Sequence, residues 1–126
     1  MAVRKTPAEK AAEALVEVEA KIQGFPAPFA ELGTRMHELI MHANPQLKPR
    51  IWYGMPGYAL AASKPVLVFF RCDEGVFSMG ISEKANISLP PGASDRLISS
   101  SWFLHSLDET TEQRIISIVQ RATWVQ

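Results

Sequence analysis

Cysteine is nearly missing from this 126-residue chain, where Cys72 stands alone. A lone thiol cannot close an internal disulfide, so a core must hold the fold, and the cytoplasm is the expected compartment. Net charge is missing too, because 13 Lys and Arg balance 13 Asp and Glu. Nucleic-acid binders draw much of their affinity from phosphate contacts and carry a positive field, so a nucleic-acid partner is not expected. No apolar run reaches the roughly 18 residues of a membrane-spanning helix. The start, Met1-Ala2-Val3-Arg4-Lys5, leads into Thr6-Pro7-Ala8-Glu9 and not into the apolar stretch of a signal peptide.

Signatures of chemistry are equally scarce. The chain has no Gly-x-Gly-x-x-Gly, no phosphate loop, no Gly-x-Ser-x-Gly elbow, no His-x-x-x-His and no Cys-x-x-Cys. A strong zinc or iron–sulfur site is therefore not expected. His37 and His42 fall near opposite borders of one helical stripe, about 140° apart at ~100° per residue, so they do not face one metal. Cys72 closes an apolar run and reads as a small buried or half-buried residue, because no base is placed beside it by the sequence.

What remains is ordinary globular material, 47% hydrophobic and 21% charged, sized for one domain over residues 1–126 with residues 1–5 expected to be flexible. Thr6-Pro7-Ala8-Glu9 is a capping box with Pro at the first helical position. Ala11, Leu15, Val18 and Ile22 follow at helical spacing, and Gly24 is expected to end the helix in the left-handed region. Phe25-Pro26-Ala27-Pro28 makes a rigid elbow. A second helix runs from about Pro28 to Ala43, with Phe29, Leu32, Met36, Leu39, Ile40 and Ala43 on one stripe.

The pattern then turns to strands. Arg50-Ile51-Trp52-Tyr53 is aromatic and β-branched, and Gly54-Met55-Pro56-Gly57 reads as a turn or bulge because Pro cannot donate to a central ladder. Val66–Phe70 is continuously apolar, which predicts cover on both faces. Asp73-Glu74-Gly75 is a hairpin turn, after which Phe77, Met79 and Ile81 alternate toward the helices. Asp95 to Ser99 suggests one helical turn. Trp102-Phe103-Leu104 suggests a short last strand, Ser106–Glu109 supplies cap chemistry, and Ile115, Ile118, Val119 and Ala122 stripe a final helix. Trp124 and Val125 are expected to pack at the end. The fold class is α+β, an antiparallel sheet of about five strands with two N-terminal helices and one C-terminal helix, mainly on one face.

The segment Ile51-Trp52-Tyr53-Gly54-Met55-Pro56-Gly57-Tyr58, the preceding Phe25-Pro26 elbow and the closing Trp102-Phe103-Leu104 strand resemble the YdhG-like domains of unknown function, within the YjbR/CyaY-like superfamily. The similarity covers roughly Thr6 to Arg121. It implies a compact α+β domain and no established enzyme activity; one branch implies a frataxin-like role in iron handling. Where such relatives often place lysines before the last strand, this chain has Ser99-Ser100-Ser101.

The candidate binding residues are Arg50, Trp52, Tyr53, Met55, Tyr58 and Trp102. Aromatics and Met supply contact area, indole and phenol supply hydrogen bonds, and Arg50 supplies a cation. Alternation sends Arg50 and Trp52 to one face and Ile51 and Tyr53 to the other. These residues predict a non-catalytic domain with an aromatic groove for a small molecule or protein partner, with no cofactor and a possible homodimer. One alternative is iron delivery, with Glu9, Glu13 and Glu17 as weak oxygen ligands at i, i+4 and i+8. The other is an enzyme of unknown reaction drawing on His105, Cys72, Arg50 or Tyr58.

Overall fold

The computed structural model describes residues 4–124. Helix α1 spans Pro7–Gln23, and the Thr6 hydroxyl accepts from the Glu9 amide at 3.1 Å, as the capping box requires. Its stripe buries from the middle onward: Val18 and Ile22 are sealed, whereas Ala11 is exposed. Gly24 caps the helix at φ −79°, so the expected left-handed ending does not form; its amide stays in the right-handed region and bonds back to Ala20 and Lys21. Helix α2 spans Phe29–Ala43. Residues 1–3 of the expected flexible lead lie outside the described residues, and Lys5 pairs with Glu13 on α1.

Five strands follow as a meander, each antiparallel to its neighbour, in the order β1-β2-β3-β4-β5. They are β1 Lys48–Trp52, β2 Met55–Ala59, β3 Val66–Asp73, β4 Val76–Ile81 and β5 Ser101–Phe103. The expected Gly54–Gly57 turn is corrected here. The turn is Tyr53-Gly54 alone, with positive φ at both residues (49° and 75°), while Met55, Pro56 and Gly57 belong to β2. Pro56 is tolerated because it faces Ile51 across β1, and the ladder to β3 begins only at Gly57. The β3–β4 hairpin turns the same way at Glu74 and Gly75.

Helix α3, Glu109–Thr123, is capped by Asp108, whose carboxylate accepts from the Thr111 amide at 2.7 Å. All three helices pack on one face of the sheet. There, Phe25 of the elbow sets its ring edge-on to Phe70 and Phe77, Phe29 stacks on Phe77, and Tyr58 stacks on Phe70. A fully buried apolar side chain such as Phe70 or Phe77 contributes about 1.5–3 kcal/mol. Arg35 of α2 grips both carboxylate oxygens of Glu112 on α3, at 3.0 and 2.7 Å, and so ties the two helices at the surface.

Three further expectations change. No helical turn forms at Asp95–Ser99; residues 90–100 run irregular and exposed. Strand β3 has helices on one face only, and Phe69 on the other face is half-buried. Trp124 is 61% exposed and does not pack into the core, while Val125 lies outside the described residues.

Candidate functional site

Strand register divides the predicted site residues between two faces. Tyr58 pairs with Val68, and Phe70 with Met79, which pairs with Trp102; these point to the helices. Trp52 pairs with Met55, and a second row runs Arg50–Gly57–Phe69–Gly80–Ser101 across the sheet; these point away from the helices. Trp52 therefore takes the outward direction, but Tyr58 and Trp102 lie on the opposite side. The six residues do not converge on one groove.

Tyr58 is wholly buried and cannot meet a ligand. Its hydroxyl lies 2.7 Å from Nδ1 of His37 on α2, and burial holds its phenol well above the usual tyrosine range. On the outer face, Trp52 packs its indole 5.2 Å from the Phe69 ring and edge-on to Tyr53. Tyr53 itself is 84% exposed, and Phe103 at the far edge is 72% exposed. Arg50 spends one guanidinium nitrogen on the Ala62 carbonyl at 2.9 Å, so it braces the β2–β3 connection. Met55 joins Tyr53, Arg71 and Cys72 around a shallow cleft of about 200 Å3 at the hairpin end.

A larger concavity lies elsewhere. A cavity of about 620 Å3 opens between the β2–β3 connection, the segment after β4 and the end of α3. Leu60, Leu67, Ala85 and Ala122 give it an apolar floor, and Lys64 and Lys84 stand at its wall. Through Asn86, Ser88 and Ala122 it adjoins a second cavity of about 220 Å3, walled by Trp102, Ile118, Arg114 and Arg121. This cleft is held in shape by hydrogen bonds. The Asn86 amide donates to the Ala122 carbonyl at 2.9 Å, and Arg121 donates to the Ser88 carbonyl at 3.1 Å and to its hydroxyl at 3.2 Å. Among the described residues no Asp or Glu lines either cavity.

Trp102 is the one predicted residue in this cleft. Sequence reasoning missed its other walls because several come from the irregular segment 82–100, which has no period to read, and meet the β2–β3 connection and α3 only in the fold. One signal was present: Arg114, Ile118 and Arg121 at i, i+4 and i+7 share a side of α3. Phe69 was missed because it sits inside a continuously apolar run.

The chemistry of catalysis finds little to work with. Burial and Asp73 push the Cys72 thiol up, which disfavours the nucleophilic thiolate. His105 is exposed. Among the described residues no three His, Cys, Asp or Glu side chains are grouped to hold a metal ion. Of the suggested oxygen ligands, Glu9 accepts from the Thr6 hydroxyl and Glu13 pairs with Lys5. Among the described residues no helix is long and apolar enough to cross a membrane. Compared with protein-family models, curated proteins and solved structures, the chain matches none.

Proposed function

We propose that this chain is a non-catalytic binding domain that takes a small molecule in the cleft beside α3. The observation that carries this reading is the cavity of about 620 Å3 with its apolar floor, continuing past Ser88 to Trp102. Ligand sites of small molecules are concave, mostly apolar and fitted with a few convergent polar groups, at volumes of roughly 300–1,000 Å3. Kinship with YdhG-like domains belongs to the same proposal, supported by the Trp52-Tyr53-Gly54-Met55-Pro56 signature within an α+β domain.

A neutral environment-sensitive dye, Nile red, tests the reading. The native chain is expected to bind it saturably, one per chain. Ser88→Trp, an exposed substitution at the neck between the cavities, is expected to weaken binding at least tenfold while the chain still unfolds cooperatively. Absence of saturable binding, or binding indifferent to Ser88→Trp, would overturn the reading.

A second reading has its own observation. Tyr53 and Phe103 stand exposed on or beside the helix-free sheet face, with Trp52 and Phe69 between them, and such an aromatic face suits a protein partner.

A further inference from the structure

We infer that the ligand of the α3 cleft is a monomeric anionic amphiphile, an apolar body carrying a carboxylate or phosphate head. This rests on the reading of the cleft as a ligand site and adds the ligand's charge and orientation.

The carrying observation is the one-sidedness of charge. Across the whole chain, acids and bases are equal in number. Along the cleft, Lys64, Lys84, Arg114 and Arg121 line the walls, and among the described residues no carboxylate does. None of the four has a carboxylate partner among the described residues; the ion pairs there join Lys5 to Glu13 and Arg35 to Glu38 and Glu112. Four cations around a low-dielectric wall focus a positive potential into the space between them.

The two cavities differ in a way that orients the ligand. The smaller has both arginines together with the Ser99 hydroxyl and the Asn86 side-chain NH2, which can donate to an oxyanion, while the Ser88 hydroxyl already donates to Asn86 Oδ1 at 2.8 Å. A guanidinium presents a planar fork that matches carboxylate or phosphate oxygens in pairs. Arg121 already spends one nitrogen on Ser88, which fixes its position, while Arg114 has no such contact. The larger cavity has the apolar floor, and its two cations are lysines. A lysine lays its methylene stem along an apolar surface and keeps its charge in water. The head therefore belongs between Arg114 and Arg121, and the body lies over Leu60, Leu67 and Ala122. Lys64 and Lys84 at the wall then supply attraction at a distance and not a seat.

Calorimetric titration of the native chain, Arg114→Gln and Lys84→Gln tests this with four probes. They are decanoate, decanol and decyltrimethylammonium, each kept below its micellar concentration, and phosphatidylglycerol vesicles. The expected result is decanoate binding at least tenfold tighter than decanol, with the cationic probe weakest. Arg114→Gln should remove that tenfold preference by weakening decanoate far more than decanol. Lys84→Gln should weaken decanoate only two- to threefold, and the effect should fade at high salt. Equal, saturable binding of decanoate and decanol would leave the cleft as a ligand site and overturn the anionic assignment. Failure of both to bind would overturn the cleft reading itself. Loss of the preference in Lys84→Gln but not in Arg114→Gln would overturn the placement of the head. Binding to vesicles without binding to monomeric decanoate would replace the free amphiphile with a membrane surface.

Discussion

The hydroxyl of Tyr58, on β2, and Nδ1 of His37, on α2, lie 2.7 Å apart where helix meets sheet. A buried hydroxyl hydrogen needs an acceptor, and Nδ1 is the partner in reach, so the imidazole carries its proton on Nε2. Burial lowers the pKa of His37 below its ordinary 6.5, against the smaller opposing pull of Glu19 and Glu38. The folded state therefore binds this proton less readily than the unfolded chain does.

The sign of the pH effect follows. Below about pH 6.5 the unfolded chain takes up a proton that the folded chain refuses, so this site loses stability as pH falls and regains it as pH rises. Urea unfolding at pH 7.5 and pH 5.5 should show a larger drop for the native chain than for His37→Asn, which keeps an acceptor without the titration. Tyr58→Phe should cost about 1 kcal/mol at neutral pH. Equal pH dependence in the native chain and His37→Asn would contradict the assignment.

Tyr53 occupies a backbone position that disfavours it. At φ 49° it is the first residue of a two-residue turn whose second, Gly54, sits at 75°. Such turns favour Asn-Gly. Tyr53→Asn should therefore raise stability by roughly 0.5–1 kcal/mol, even though it forfeits the edge contact with Trp52. Gly54→Ala should lower it by a similar amount or more. Thermal unfolding of the two variants measures both.

Phe69 and Gly80 fit together on the outer face. A Cβ at Gly80 would lie 2.7 Å from Cζ of Phe69, far inside contact distance. Gly80→Ala should cost about 1–3 kcal/mol in the native background. In a Phe69→Ala background most of that cost should vanish, giving a coupling that chemical denaturation resolves. Full additivity would place the ring elsewhere.

Trp52 and Phe70 lie on opposite faces, one half-buried and one sealed. Trp52→Ala should cost about 1–2 kcal/mol and leave a folded domain, against about 3–5 for Phe70→Ala. An unfolded Trp52→Ala variant would make the indole a core residue and end its candidacy as a binding surface.

Element type was legible wherever side chains repeat with a period. The Thr6 cap, the α2 stripe, the Phe77-Met79-Ile81 alternation and the Asp108 cap all folded as their patterns dictate. The hairpin at Tyr53 was misplaced because its first turn residue is a tyrosine, and nothing local announces a positive φ there. Pro56 looked like a strand breaker until register showed it short of the β3 ladder. The grouping of Trp52, Tyr58 and Trp102 failed because sequence neighbours in a strand alternate faces, and the face of Trp102 depends on a pairing with Met79 that only the fold fixes. The cleft was invisible for a related reason: its cations come from the β2–β3 connection, an irregular segment and α3, which meet only after folding.

The most direct measurement maps where an anionic amphiphile sits. Decanoate titrated into isotope-labelled protein should shift the backbone amide signals of Asn86, Ser88, Trp102, Arg114 and Ala122 together, in proportion to occupancy. The amides of Trp52, Phe69 and Phe103 should stay unmoved. Shifts centred on Trp52 and Phe69, with the α3 cleft silent, would contradict the account.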